Sequence, residues 1–207
     1  MTREVELSCR CGAVHGVAKD VAPNTINRIV CYCADCQAFI HQLGRADLLD
    51  AHGGSDIVQV APGRVRFDRG TEHIRGLRLS DKGMFRFYAS CCNTPLGNSA
   101  GPAIPFLGIA RQAFATDAQG GADAVFGAPR FLVYGKDAIG APPEGSTKLD
   151  PMLFVRVLGA MIGWALRRVH LPNPFFDPAT KKPSYALVTL SNSERESLRP
   201  LCGPRAA

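Results

Sequence analysis

Three cysteines fall within six residues, at Cys31, Cys33 and Cys36. If the backbone turns tightly there, their thiolates can converge on one ion. Zinc takes cysteine sulfur at about 2.3 Å and prefers four tetrahedral ligands. Three cysteines leave one position to fill. A distant residue would close the site as a structural one, whereas water or a substrate would leave it open to catalysis. Zn²⁺ with three thiolates carries a net charge of about −1, so it is a weaker Lewis acid than a three-histidine site. Such a centre suits thiol chemistry: it lowers the pKa of a bound thiol and yields a nucleophilic or leaving thiolate.

Cys9 and Cys11 form a second group, and Cys91 with Cys92 a third. Together they could close a four-sulfur site that pins the N-terminal strand to the middle of the sheet. Structural zinc sites contribute folding energy directly. Adjacent side chains point apart along an extended chain, which makes Cys91 and Cys92 poor partners for one ion. Buried thiols packed as small hydrophobes are the alternative for these groups. His15, His41, His52 and His73 form no ligand cluster. His41, five residues after Cys36, is the one that could reach the same ion. Cys202 sits in a Pro/Gly-rich tail and reads as a spectator.

Elements must hold these sulfurs in place. Seven of the eight cysteines lie before residue 93, so the chemistry belongs to the first half of the 207-residue chain. Apolar and polar residues alternate, or nearly so, over 57–60, 64–67, 73–79 and 84–88, the period of half-buried strands. Residues 5–7 and 27–30 read as short strands running into Cys9 and Cys31, and 131–134 as one more. The segments 61–63 and 81–83 supply turns. Several short strands at this spacing favour an antiparallel β architecture. A linker-like stretch covers 141–146. A helix over about 151–169 follows, with Asp150 as N-cap, Pro151 in the first turn and Arg167, Arg168 and His170 near its C-terminus. It reads as an amphipathic helix packed on the domain; the alternative is a helix on a membrane surface, its arginines at lipid phosphates. The Pro-rich tail from Asn173 onward is expected to wrap the surface. The expected organisation is a zinc-binding β domain over 1–145 and a C-terminal extension over 146–207.

Hydrophobic residues make up 46% of the chain and charged residues 20%, enough apolar material for a core and against global disorder. The net charge of +6 suits nucleic acid, an anionic membrane surface or an acidic small molecule, but no long basic run selects among them. The first residues lack the apolar core of a signal peptide, and no uncharged run reaches the roughly 20 residues that span a bilayer. The expectation is a cytoplasmic protein whose thiols stay reduced, so that eight cysteines read as metal ligands or reactive thiols rather than disulfides.

The order Cys9–x–Cys11–Gly12, then Cys31–x–Cys33–x–x–Cys36, then Cys92–Asn93–Thr94–Pro95 resembles the glutathione-dependent formaldehyde-activating enzyme family, which includes centromere protein V. The likeness covers roughly residues 7–97. It implies a β-tent of small antiparallel sheets with two zinc sites. It implies that Cys31, Cys33 and Cys36 are the open, catalytic site, where a glutathione sulfur or water completes the shell, and that Cys9 and Cys11 join two later cysteines in a structural one. The implied activity is carbon–sulfur lyase chemistry on S-hydroxymethylglutathione. In this chain Ala89 stands where that family has a cysteine ligand, Asn93 where it has glycine and Tyr32 where it commonly has histidine; Cys91 is the candidate substitute ligand.

The leading expectation is therefore a zinc-dependent carbon–sulfur lyase-like protein with one or two Zn²⁺, acting on a thiol or a glutathione-type adduct. Arg28, Arg45 or another nearby base would hold a substrate carboxylate. The competing readings are a non-enzymatic zinc module that contacts nucleic acid, an anionic membrane or a protein partner, and a redox-sensing thiol cluster that forms a disulfide within 31–36.

Overall fold

The alternating segments form strands, and most pair antiparallel. The computed structural model describes residues 2–148 and 150–204. Met1, Leu149 and residues 205–207, which the two expected segments include, lie outside the described residues. In chain order the elements are β1 (Arg3–Ser8), β2 (His15–Val21), β3 (Asn27–Cys31), α1 (Ala34–Gln42), β4 (Ser55–Val60), β5 (Val65–Arg69), β6 (Ile74–Arg78) and β7 (Phe85–Ala89). They continue with β8 (Thr94–Ser99), β9 (Leu107–Ala110), α2 (Ala122–Phe126), β10 (Phe131–Val133), α3 (Pro151–Leu166), β11 (Leu187–Thr189) and α4 (Asn192–Leu198).

The protein is mainly β, with a helix in its C-terminal part. One sheet has three strands, in the order β1-β2-β5; the other has eight, in the order β10-β3-β4-β9-β8-β7-β6-β11. The larger sheet is less small and less uniform than the sequence suggests. Its two outer strands, β10 and β11, are added parallel to β3 and β6. Both come from later in the chain, where the period-2 signal is only three residues long.

The main core fills the space between the sheets. Strand alternation sends Phe85, Phe87 and Ala89 of β7 into it, with Val58 and Val60 of β4. The opposite faces of the same strands carry Arg86, Ile57 and Gln59, and these line a cleft. A bulge in β8 adjusts the register. Phe87 pairs with Gly97 but Tyr88 pairs with Pro95, so Leu96 is an extra residue. Leu96 then enters the core while Asn98, two residues on, reaches the cleft.

The C-terminal part departs from the expected surface wrap. Phe175 and Phe176 lie in the main core, and the Phe175 ring stacks on Phe87 with centroids 4.1 Å apart. Burying two phenylalanines outweighs the loop-forming tendency of the prolines around them. The helix α3 starts as expected, with the Asp150 carboxylate accepting from Met152 N at 2.8 Å. It ends at Leu166, earlier than the sequence suggests, and Arg168 takes a left-handed conformation just beyond. Among the described residues no helix is long and apolar enough to cross a membrane.

Candidate metal centres

Cys9 and Cys11 sit in the turn after β1, which Gly12 closes with φ +75°. Gly12 N donates to Cys9 O, and Cys9 N to Val14 O. Val14 N in turn donates to the Cys9 sulfur at 3.3 Å. Cys91 and Cys92 sit in the turn between β7 and β8, with Asn93 at φ +54°. That turn answers the objection raised by their adjacency. The pair is not in extended backbone, so the two side chains are not forced to opposite faces, and their sulfurs lie 3.9 Å apart. Cys91 lies 3.4 Å from Cys11 and 3.8 Å from Cys9, and Cys9 lies 3.6 Å from Cys11.

All four sulfurs lie within 4.8 Å of one another. Tetrahedral Zn–S bonds of about 2.3 Å put ligand sulfurs about 3.8 Å apart, close to the 3.4 Å and 3.9 Å that bound the four separations above. These separations are far longer than the roughly 2.05 Å of a disulfide, and the cysteines are free thiols. The group bridges the two sheets, since β1 belongs to one and the β7–β8 turn to the other. Burial raises the Cys92 thiol, but the Thr94 hydroxyl and the Cys11 backbone N–H more than offset it and bring it to about 6. Burial and the neighbouring sulfurs push Cys91 up instead. Cys92 is thus the thiol most readily ionised without a metal, whereas Cys9 and Cys91 are raised and a cation would help displace their protons.

The second group forms where β3 runs into α1. Cys31 ends the strand, Cys33 is the N-cap residue and Cys36 lies in the first turn. Cys33 O accepts from Cys36 N and Gln37 N, which fixes the tight turn the spacing requires. The Cys31 and Cys33 sulfurs are 3.4 Å apart, and all three lie within 4.8 Å. Gln37, wholly buried, clamps the junction. Its Nε2 donates to Tyr32 O and Asp137 O, and its Oε1 accepts from Gly203 N. Ala34 N donates to the Asp137 carboxylate at 3.2 Å.

Arg86, only 3% exposed, points at this group from β7. Its Nη1 lies 3.8 Å from the Cys36 sulfur and 3.5 Å from Asn98 Oδ1, and its guanidinium covers the Phe39 ring. Hydrogen bonds from Cys31 and Cys33, together with the Arg86 charge, hold the Cys36 thiol well below its ordinary value despite burial. Cys31 is pushed well up by donating to Cys33 and Cys36 and by burial. Cys33 gains some relief from Cys31, but donation to Cys36 and burial push it up to about 12. Of the three thiols Cys36 is therefore the one most readily ionised without a metal, with Arg86 as counter-charge. A divalent cation would displace the remaining two protons.

The three sulfurs line a cleft of about 490 Å³. Ile29, Ile57, Phe106 and Val133 make much of its wall, and Arg86, Asn98, Asp35 and Asp137 supply polar groups. Gln59 Oε1 is buried in that lining without a hydrogen-bond partner among the described residues. A smaller cavity of about 20 Å³ lies behind Cys36.

The other candidates fall away from this site. Neither cysteine group includes His41 or any other histidine. His15 pairs with Asp68 at 3.0 Å, and His52 contacts Ile139 O. Arg28 is spent on Asp56, Asp123 and Gly127 O, and Arg45 on Asp47. The arginine at the cleft is Arg86. Its signal in the sequence was its place between Phe85 and Phe87, which puts it on the face opposite the core. Cys202 is half-buried, its sulfur 3.4 Å from Leu198 O.

Fold and site define a mainly β protein with two cysteine groups, one of four sulfurs and one of three, each able to hold a metal ion. The chain belongs to a family of unknown function, DUF6151, whose pattern matches residues 1–184. The match takes in both cysteine groups, α3 and the core residues Phe175 and Phe176. No curated protein matches the chain.

Proposed function

We propose that Cys31, Cys33 and Cys36 hold zinc with one position open to the cleft, and that the protein is a carbon–sulfur lyase-like enzyme acting on a thiol or a glutathione-type thiol–aldehyde adduct. The observation that carries this is an incomplete sulfur set in the lining of a cleft large enough for a small substrate. The four-sulfur group, by contrast, already supplies a full tetrahedral shell and is read as structural zinc. The resemblance of the cysteine order to the formaldehyde-activating enzymes supports the same assignment.

Zinc bound here would supply a site for the substrate sulfur and stabilise it as a thiolate. The chain's own groups do the rest. Arg86 offsets the net negative charge of a three-thiolate centre and fixes the Cys36 sulfur. Gln59 Oε1 accepts a hydrogen bond from a substrate donor, since nothing else among the described residues satisfies it. In the cleavage direction the adduct hydroxyl gives its proton to a carboxylate in the lining, Asp35 or Asp137. The C=O bond forms, the C–S bond breaks and its electron pair stays on sulfur.

The test is aldehyde release from hydroxymethyl adducts of glutathione and of a small neutral thiol, measured with zinc-loaded protein. The expected result is acceleration with at least one adduct, abolished in Cys33→Ser with the fold retained by circular dichroism. Rates equal to the uncatalysed exchange for both adducts would remove the lyase reading.

A further inference from the structure

The helix α3 is apolar on two faces and buries only one. Its inner face packs Leu153 and Val157 among Ile29, Cys31 and Cys33, and buries Trp164. Its outer face leaves Met152, Phe154, Val155, Leu158, Ile162 and Leu166 in solvent, Phe154 61% and Leu166 81% exposed. Phe154, Leu158, Ile162 and Leu166 recur at four-residue spacing and form one stripe along the helix. A contiguous apolar surface of this kind marks an interaction site.

The charge on the helix itself is of one sign. No Asp or Glu occurs between residues 151 and 171. Beside the bare face lies a groove of about 260 Å³, between α3 and residues 24–27, with Gly159 and Gly163 in its wall and Arg64, Arg156 and Arg167 around it. A side chain at Gly159 would meet nothing within 4 Å, so the groove is open along the helix. The Arg156 guanidinium is fixed by neutral acceptors only, Asn27 Oδ1 at 2.6 Å and the carbonyls of Pro23 and Ile26. Arg64 is paired with Asp20, but among the described residues none of Arg130, Arg156, Arg167 and Arg168 is in an ion pair.

We propose that this face of α3 docks on an anionic phospholipid bilayer, with lipid phosphates seated at the arginines of the neighbouring groove. The charge selects this occupant. A second copy of the chain would bring two unpaired arginine clusters together, whereas anionic headgroups neutralise them. Length selects the mode. Sixteen residues make a helix of about 24 Å, short of the roughly 30 Å hydrocarbon core, so α3 lies along the interface. Docked this way, the helix holds its inner face, and the thiol cleft behind it, close to the lipid surface.

The experiment is co-sedimentation of the full chain with vesicles of phosphatidylcholine alone, or of phosphatidylcholine and phosphatidylglycerol in equal parts. The comparison variant is Leu158→Ser with Ile162→Ser, which removes apolar surface at unchanged charge. Both side chains are exposed, and the emission of Trp164, the single tryptophan, reports that α3 stays packed. The expected result is binding to the mixed vesicles that weakens with salt and falls at least about tenfold in the variant. Absence of wild-type binding to mixed vesicles at low salt overturns the proposal. So does binding that the apolar variant leaves unchanged, or a dimer in solution that the variant dissociates without any vesicle binding.

Discussion

Arg86 shows what a single residue does at this site. Its cation stands against the Cys36 sulfur in a buried place where an unbalanced charge is costly. Partners that orient a ligating group typically carry 10–100-fold in metal affinity. Replacing Arg86 with Met should therefore weaken zinc retention by about tenfold or more, read by competition with a chelator. The pH dependence follows from the thiols. Cys31 and Cys33 are raised without metal, yet must be thiolates to bind it. Zinc ligation would hold them below the unfolded value of about 8.5, and a depressed group stabilises above its unfolded pKa and loses that contribution as pH falls. The zinc-loaded protein should melt well above the chelator-treated one at mildly alkaline pH, and the two should converge on acidification. A gap that widened at low pH would contradict thiolate ligation. The cysteine spacing alone made the three-sulfur group legible. The place of Arg86 between Phe85 and Phe87 marks it as facing away from the core, but only the three-dimensional register shows that this face of β7 meets α1 and its cysteines.

The elements explain why the four-sulfur group forms at all. In the sequence, Ala89 in place of a ligand and two adjacent cysteines argue against a complete set. The β7–β8 turn resolves this by leaving extended backbone at Cys91 and Cys92 and placing Asn93 in the left-handed region. A β-branched side chain is strained there. Asn93→Val should cost about 1–2 kcal/mol of stability by denaturant unfolding, with loss of metal from the four-sulfur group. An unchanged midpoint would mean that the turn is not what positions the pair. Strands with alternating residues were legible, from 57–60 through 84–88. The helix α1 was not. Its stretch from Gln37 to Gln42 carries no start signal beyond Cys33, and its position is set by the Gln37 clamp and the apolar contacts of Phe39 and Ile40.

At the scale of the whole molecule, the chain after residue 145 is tied to the sheets rather than laid over them. Phe175 stacks on Phe87 and lies 5.4 Å from Phe67, so it meets residues of both sheets. Truncating it leaves a large cavity. Phe175→Ala should lower stability by about 3–5 kcal/mol, measured by denaturant unfolding. A loss near zero would place the segment outside the cooperative unit. The sequence hid this because the Pro-rich composition around Phe175 reads as loop, and only burial reveals which aromatic side chains the loop delivers. Gly203 meeting Gln37 is a second such tie. Both cysteine groups thus rest on contacts between distant parts of the chain: Cys9 and Cys11 against the β7–β8 turn, and the β3–α1 junction against Arg86 and, through Gln37, Gly203.

On the proposed reading the two cysteine groups are separate zinc centres, one structural and one open. The most direct measurement is zinc stoichiometry by elemental analysis of the wild-type protein and of the Cys33→Ala, Cys36→Ala double variant, with circular dichroism on the same samples. Two zinc ions per chain that fall to one, with the β signal retained, is the predicted result. One zinc ion in the wild type, lost together with the fold in the variant, would contradict it.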